Sequence, residues 1–360
     1  MADAAEAAPA VRITSLAYDE LVTGKDLREE IERAFGYDGP GLLTVSGVPG
    51  LAEARARLLP LARAFATLPD ATKRKYEHAR SFYSIGWSHG REKLQGRPDV
   101  AKGSYYANPL HDAPFSDPAD IAKYPAFAEP NVWPTEELPE LRGAFMHAGQ
   151  LIHAVGCLVA SQCDRFVSER LQDRYPPQRI SQLLRSSRCC KARLLHYFAT
   201  KGTDAQSAPR AHHELAKLPP ADGAAADGIS ADDDAFSNWC GWHNDHGTLT
   251  GLLPAMYIGA DGAAEMECPD AAAGLYVRSR CGRLIHVRIP PTQPPAVPLP
   301  LPSEPTPLLS PSLPLILPIT PPSPHFPLFP QCGPIGGYEP SRGTCSQEVG
   351  VNAAPIVALS

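Results

Sequence analysis

The sequence contains no CxxC pair, although it has nine cysteines. Because they are odd in number and scattered, and no secretory signal opens the chain, we expect reduced thiols in a cytoplasmic protein. Cys189 and Cys190 are adjacent, which is too close for an ordinary disulfide with each other. The chain also lacks a proline-free run of about 18 apolar residues, so no transmembrane span is expected.

No stripe of basic residues is present either, and the formal net charge is -6. A nucleic-acid or membrane partner is therefore not expected. Hydrophobic residues make up 43% and charged residues 20% of the chain, which is ordinary for a globular protein. Residues 1–11 are Ala-rich and unlike a targeting peptide, and are predicted to be a disordered N-terminus.

Proline is the residue in excess. Of the 40 prolines, 17 lie between Pro290 and Pro330. Each removes a backbone donor, so neither helix nor sheet is expected to propagate there. The composition predicts polyproline II or disorder, and residues 290–360 are treated as an atypical proline-rich tail.

The apolar periodicity predicts helices first and strands later. Helical spacing is found over 25–35, 51–68 and 141–171, and a short buried strand is predicted over 41–47. After Cys189 the pattern changes to strand-like segments at 192–198, 241–253, 255–258, 273–278 and 284–289. This order indicates an α+β chain whose second half is a sheet or barrel.

Within one of these strand-like segments, His243 and Asp245 are two residues apart. Side chains at i and i+2 of a strand project to the same face. An imidazole and a carboxylate so placed suit two neighbouring positions around one metal ion. A structural hydrogen bond between the two side chains is the alternative. His246 is interpreted as structural.

The segment 241–252 resembles the metal-binding strand of plant-type 2-oxoglutarate- and Fe(II)-dependent dioxygenases, in the isopenicillin-N-synthase-like superfamily. Four further stretches support the resemblance, and they occur in the order that the family has them: 41–49, 83–90, 102–109 and 268–278. The resemblance runs from about residue 12 to about residue 289.

The resemblance implies a helical N-terminal region over 12–135. It also implies a double-stranded β-helix (jelly-roll) core over 136–289. Fe(II) would be bound by His243 and Asp245, and Tyr197 would contact 2-oxoglutarate, although a core tyrosine is an equal alternative. The family decarboxylates 2-oxoglutarate to succinate while it oxidises a small organic substrate. We expect a monomer that acts on such a small molecule.

Two features of the family are missing from the sequence. No Arg-x-Ser follows Asp245, although the family uses one to bind the far carboxylate of 2-oxoglutarate. The second iron-binding histidine is missing too, because His286 and His325 are the only histidines after His246 and neither is expected to replace it. The jelly roll is therefore predicted to be incomplete, with binding of 2-oxoglutarate impaired.

Three functions remain open at this point. The chain is either a working dioxygenase with a substitute ligand or an inactive or unstable isoform that keeps the first two-thirds of the fold. A protein of another class would use the tract 290–330 to bind a partner that recognises polyproline II. No basic residue lies in that tract, although many such ligands use one for orientation.

Overall fold

A computed structural model describes residues 13–94, 97–198, 247–259, 262, 265–268, 274–278, 284–287, 315–318, 348–352 and 357–359. The helices among them are α1 (Tyr18–Val22), α2 (Arg28–Phe35), α3 (Leu51–Ala66), α4 (Asp70–Lys73), α5 (Pro118–Lys123), α6 (Pro125–Ala128), α7 (Glu140–Leu171) and α8 (Arg179–Ser186). The predicted helices over 25–35, 51–68 and 141–171 are thereby confirmed, with ends that differ by a few residues.

The strands in the first two-thirds of the chain are β1 (Ser15–Ala17), β2 (Leu42–Ser46), β3 (Gly86–His89), β4 (Lys93–Leu94), β5 (Arg97–Pro98), β6 (Lys102–Ala107) and β7 (Ala192–Tyr197). The later strands are β8 (Gly251–Leu252), β9 (Tyr257–Ile258), β10 (Glu265–Met266), β11 (Gly274–Arg278), β12 (Leu284–Val287), β13 (Leu315–Pro318), β14 (Glu348–Asn352) and β15 (Val357–Leu359).

Eight of these strands form one large sheet in the order β1-β2-β13-β8-β15-β7-β6-β3. Its pairs are antiparallel except for β1 with β2, which run parallel. A second sheet has the order β12-β11-β14. The architecture is therefore mixed helix and sheet, as the periodicity predicted.

Two apolar clusters divide the interior. The larger one joins α2, α3 and α7 to one face of the large sheet, and it includes Phe65, Phe145 and Leu194. The smaller one consists of six buried side chains that lie between the two sheets: Leu42, Leu195, Leu252, Leu275, Val277 and Val287. We call the sheet face toward the helices the outer face, and the face toward the smaller cluster the inner face.

The long helix α7 is the scaffold of the larger cluster. By length and composition alone, the segment Glu140–Arg174 could cross a membrane, but more than half of its most apolar stretch is buried inside the fold. Its packing on α2, α3 and α8 is typical of the central helix of a globular core.

Near the end of α7 the buried Asp164 organises the start of α8. Its carboxylate accepts hydrogen bonds from the backbone amides of Ile180 and Ser181, both at 2.9 Å, and from the hydroxyl of Tyr175 at 2.5 Å. The first amides of a helix have no partner within the helix, so a carboxylate there both satisfies them and opposes the helix dipole.

The proline-rich tail contributes strands that the sequence did not predict. Leu315–Pro318 pairs with β2 on one side and with β8 on the other, where polyproline II or disorder was expected. The physical reason is local, because Leu315, Ile316 and Leu317 form a proline-free triplet and Pro318 stands at the strand end. The other predictions for 290–330 lie outside the described residues.

Candidate functional site on the inner face of the sheet

The predicted metal ligands His243 and Asp245 lie outside the described residues, as do His246 and His325. His286 belongs to β12, where its backbone pairs with Tyr276 of β11. Among the residues that the structure describes, no group of three or more His, Cys, Asp and Glu side chains is arranged to hold a metal ion. The predicted metal site therefore rests on the donor chemistry of His243 and Asp245, which suits Fe(II).

Tyr197, the predicted contact of 2-oxoglutarate, ends β7 opposite Lys102 of β6. Its half-buried ring packs against the smaller apolar cluster. Leu194 belongs to the outer cluster and Leu195 to the inner one, so alternate residues of β7 face opposite sides. Tyr197 consequently lies on the inner face, where the resemblance requires it, and its contact with a co-substrate stays a prediction.

The same inner face carries a polar cluster that the sequence did not predict. Arg193 lies four residues before Tyr197, and its neighbours on β6 are Ser104 and Tyr106. The Arg193 guanidinium donates to the Ser104 hydroxyl from Nε at 3.0 Å and from Nη2 at 2.8 Å. Its Cζ also lies 5.0 Å from the centre of the Tyr106 ring. These contacts hold the guanidinium in a fixed orientation.

Glu92 completes this arrangement from the connection between β3 and β4. Its two carboxylate oxygens accept from Arg193 Nη2 at 2.9 and 2.8 Å. The Tyr106 hydroxyl donates to the same carboxylate, and Lys102 Nζ lies 3.9 Å from it. One carboxylate is thus surrounded by donors from both β6 and β7.

Asp99 forms an ion pair with Lys102, the second cation of the inner face. Its carboxylate lies 2.6 Å from Lys102 Nζ, and both side chains are less than a tenth exposed. The backbone amide of Asp99 donates to the carbonyl of Glu92 at 2.8 Å. Glu92 and Asp99 therefore lie at the two ends of the β4–β5 ribbon and attach it to β6 and β7.

The charges of this cluster alter its acid–base chemistry. Burial alone would raise the pKa of Glu92, but Arg193, the Tyr106 hydroxyl and Lys102 outweigh burial and hold that pKa below its usual range. Burial raises the pKa of Tyr106, and the neighbouring Glu92 raises it further. The carboxylate is therefore ionised and the phenol protonated near neutral pH.

The outer face behind this site is apolar and aromatic. Trp87 is buried, with its ring centre 5.1 Å from that of Phe65. His89 Nε2 hydrogen-bonds the carbonyl of Val100 at 3.0 Å, and its ring packs on Phe198. These contacts give Trp87 and His89, which both belong to the 83–90 stretch, a structural role.

Sequence reasoning missed Glu92, Lys102 and Asp99 because nothing in the local sequence shows which strands become neighbours. One signal was available for Arg193, since it shares the parity of Tyr197 on a predicted strand and must therefore face the same side. Its pairing with an acid was left open by the sequence, and the structure supplies Glu92 as the partner.

Comparison with known proteins agrees with this architecture. Residues 9–136 match the family described as non-haem dioxygenase in morphine synthesis N-terminal. A 2OG-Fe(II) oxygenase family protein from Caulobacter crescentus is similar in structure, with a TM-score of 0.53 at 15% identity over 96% of this chain and 85% of that chain.

A full-length protein of Neurospora crassa, solved in complex with alpha-KG and 5-formyluracil, is similar too. Its TM-score is 0.53 at 15% identity, over 100% of this chain and 86% of that chain. At such identities the likeness shows the fold, which is the jelly roll of these oxygenases. No curated protein matches the chain. Residues 9–136 therefore resemble the N-terminal region of this dioxygenase family, and the chain has the fold of 2OG-Fe(II) oxygenases.

Proposed function

We propose that the chain is an oxidoreductase that uses Fe(II) and 2-oxoglutarate to oxidise a small organic substrate of the plant specialised-metabolite or hormone type. The observation that carries this proposal is the family match over 9–136, combined with the His243-x-Asp245 pair in the later sequence. In this proposal the chain acts as a monomer in the cytoplasm, and its cofactor and co-substrate are those of its family.

His243 and Asp245 would hold the iron, with Tyr197 toward the co-substrate. When bound, the metal supplies the activation of O2 that the protein side chains cannot supply themselves. The contribution of the described residues is different. Leu195, Leu252, Leu275 and their neighbours form an apolar wall between the two sheets, which excludes water from the interior where Tyr197 lies.

A second candidate is favoured by the missing Arg-x-Ser and the missing second histidine. An iron site without one of its ligands binds the metal more weakly, and losing even an outer hydrogen-bond partner typically weakens such sites about 10- to 100-fold. In that case the chain is an inactive or unstable isoform of the family, with an incomplete jelly roll and impaired 2-oxoglutarate binding.

Anaerobic titration of the purified chain with Fe(II) and 2-oxoglutarate tests the proposal through the visible metal-to-ligand charge-transfer band. We expect the band in the wild type and its loss in His243→Ala and Asp245→Ala. His246→Ala is the matched control, because it removes a neighbouring imidazole from the same segment and should keep the band.

His286→Ala asks whether that residue replaces the missing ligand. A folded chain that shows no band with any amount of iron would contradict the catalytic proposal and support the inactive isoform. Substrate oxidation by a chain that gives no band would contradict the assignment of the metal ligands instead.

A further inference from the structure

The connection between α7 and α8, together with α8 itself, forms a surface rich in arginine. The segment 172–188 contains four arginines and one acidic residue, Asp173, so it carries three positive charges in excess, although the chain has a net charge of -6. Its arginines are Arg174, Arg179, Arg185 and Arg188, of which the second is half-buried and the others are exposed. We call this segment the arginine surface.

Its positive charges are not balanced by ion pairs. Within the part of the chain that the structure describes, none of the four guanidinium groups has a carboxylate partner. The acids of the neighbouring turns are engaged elsewhere, Glu169 with Arg28 at 2.8 Å and Glu32 with Arg170 at 2.5 Å. The carboxylate of Asp164 is buried under the start of α8, where it accepts from backbone amides. Most guanidinium donors of the arginine surface are therefore directed to solvent.

Contacts within the fold hold two of these guanidinium groups without neutralising them. Arg185 Nη2 donates to the hydroxyl of Ser161, on α7, at 3.1 Å. The Cζ atom of Arg188 lies 5.4 Å from the centre of the Phe115 ring. Neither neighbour carries a charge, so both arginines still attract anions from solution.

Two leucines are exposed among the arginines. Leu171 ends α7 and is 39% exposed, and Leu183 of α8 is 55% exposed. The orientation of α8 is clear from its packing, because a Cβ added at Gly156 of α7 would lie 3.9 Å from Leu184 Cδ2. Leu184 therefore faces α7, whereas Leu183 points away from it, on the same side of the helix as Arg179 four residues earlier.

The backbone of the connection is strained at both ends. Gln172 has φ 48° and ψ -129°, and Gln178 has φ 56° and ψ 25°. Residues with a Cβ adopt such conformations at a cost, and they do so mostly where function requires it. These two residues fix the direction in which α8 follows the connection, and thereby the side on which Leu183 is exposed.

We propose that the arginine surface docks the protein on a membrane surface that contains anionic phospholipids. The guanidinium groups would bind the lipid head groups, and the two leucines would enter the layer just beneath them. Leucine is under-represented among the residues that dominate protein–protein contacts. Separate aliphatic side chains flanked by arginine suit the boundary between head groups and acyl chains instead.

The sequence predicted no membrane partner, because the net charge is negative and no basic stripe is present. The four arginines are spread over 174–188, and the turn of the chain between α7 and α8 is what groups them. The inference goes beyond the proposed function, because it concerns where the chain acts and requires neither iron nor turnover.

Co-sedimentation of the full chain with lipid vesicles measures this docking. One set of vesicles contains equal parts of phosphatidylcholine and phosphatidylserine, and the other contains phosphatidylcholine alone. We expect binding to the first set only. The Debye length falls from about 10 Å at 0.1 M salt to about 3 Å at 1 M, so binding should be lost at the higher concentration.

Single substitutions test the two parts of the surface. Arg179→Gln should weaken binding about five-fold, which is the contribution of one arginine near an anionic membrane. Leu183→Ser should weaken it at least about five-fold, because it removes the side chain that enters the lipid. Arg57→Gln and Val100→Ser are the matched controls. Arg57 is exposed and lies beside Gly143 at the other end of α7, and Val100 is 62% exposed.

The outcomes separate docking from its alternatives. Losses in Arg179→Gln and Leu183→Ser, with wild-type binding in both controls, support the proposal. Equal binding by all variants, or no binding by a wild type that is folded by circular dichroism, would overturn it. Binding of poly-glutamate without binding of vesicles would also overturn it, and would assign the surface to an acidic polypeptide.

Arg174→Gln repeats the test if Arg179→Gln fails to fold, since Arg174 is exposed on the connection. Docking is also independent of the iron site. Vesicle binding with the predicted losses, in a chain that never forms the iron charge-transfer band, would contradict the proposed enzymatic function and leave the docking surface standing.

Discussion

His196 lies on the outer face of β7, where its ring packs edge-on against Phe198 at 4.9 Å between centres. Burial, together with the positive charges of Arg63 and Lys73, lowers the pKa of this imidazole to about 4. The residue therefore belongs to the packing of the sheet on α3 and α4 rather than to any proton transfer near neutral pH.

Its protonation should make stability depend on pH. Since the folded-state pKa of His196 is about 4 against an ordinary 6.5, the unfolded chain binds more protons between these values. The free energy of unfolding therefore rises with pH across this window. It decreases as the pH falls from 6.5 toward 4, because the unfolded chain takes up a proton there that the folded protein does not. We expect urea titrations of His196→Gln to show a flatter dependence between pH 4 and 6.5.

His147→Gln is the control for this measurement, because that histidine is exposed on α7. It should keep the slope of the wild type. An unchanged slope in His196→Gln would show that the imidazole is solvated and charged in the folded protein.

A buried arginine of α3 connects the helical region to the later sheet segments. Arg55 of α3 is almost fully buried and donates from Nε to the carbonyl of Pro254 at 2.7 Å. Its Nη2 donates to the carbonyl of Ala255 and to the Glu265 carboxylate, the latter at 2.5 Å. The segment between β8 and β10 is held to α3 by these bonds.

Arg55→Met should therefore be strongly destabilising. It leaves two partly buried carbonyls without a donor, at about 1–3 kcal/mol each before relaxation, so we expect a loss of about 2–4 kcal/mol. Chemical denaturation measures it, with Arg57→Met as the matched change on the exposed side of the same helix. Similar losses in the two variants would contradict the role given to Arg55.

Among the elements, α7 shows how packing can override helix propensity. Glycine is about 1 kcal/mol worse than alanine inside a helix. α7 nevertheless contains Gly149, where an added Cβ would overlap the Cβ of Pro109, and Gly143, where the nearest neighbouring atom would be Arg57 Nη2 at 3.8 Å. Gly149 is required because Pro109 packs directly against the helix there, whereas no such contact requires a glycine at position 143.

Alanine substitutions at these two positions should therefore have opposite signs. We expect Gly143→Ala to stabilise the protein by about 1 kcal/mol. We expect Gly149→Ala to destabilise it by about 1–3 kcal/mol, because overpacking outweighs the propensity gain. Thermal melting of both variants measures the two effects, and stabilisation by Gly149→Ala would mean that the Pro109 segment can move aside.

The elements differ in how far the sequence could predict them. The periodicity located α2, α3, α7, β2 and β7, because one buried face leaves its period in the sequence. It missed β13 because proline content dominated the local composition. It also missed the Glu92–Arg193 pairing, since 101 residues separate the partners and only the pairing of β6 with β7 brings them together. The two-residue spacing of a strand pointed to His243 and Asp245, and the family resemblance made them candidate iron ligands, which stays a prediction.

At the scale of the whole molecule, the large sheet is assembled from distant parts of the chain. β13 lies between β2 and β8, and β15 lies between β8 and β7. The two strands from the tail therefore join segments that would otherwise have unpaired edges. Exposed edges of this kind promote aggregation.

Ile316→Pro tests whether β13 stabilises the sheet in this way. Ile316 pairs with Thr44 on one side and with Leu252 on the other. Proline removes one backbone donor from an interior strand, so we expect a loss of about 1–3 kcal/mol and more aggregation on heating. Thr306→Pro, in the same proline-rich tract but outside the described residues, is the control. Equal melting temperatures of the wild type and Ile316→Pro would contradict the pairing.

The strand order also has a consequence for synthesis on the ribosome. Two parts of the sheet can form as soon as they emerge: the pair β1–β2 and the group β3, β6 and β7. The places between these two parts in the sheet, however, are taken by strands that include residues 315–318 and 357–359. Closure of the sheet must wait for translation of those last segments, and contacts so far apart in sequence form slowly. During that interval β2 and β7 present open edges, so the nascent protein should depend on chaperones more than a protein whose sheet is built from consecutive strands.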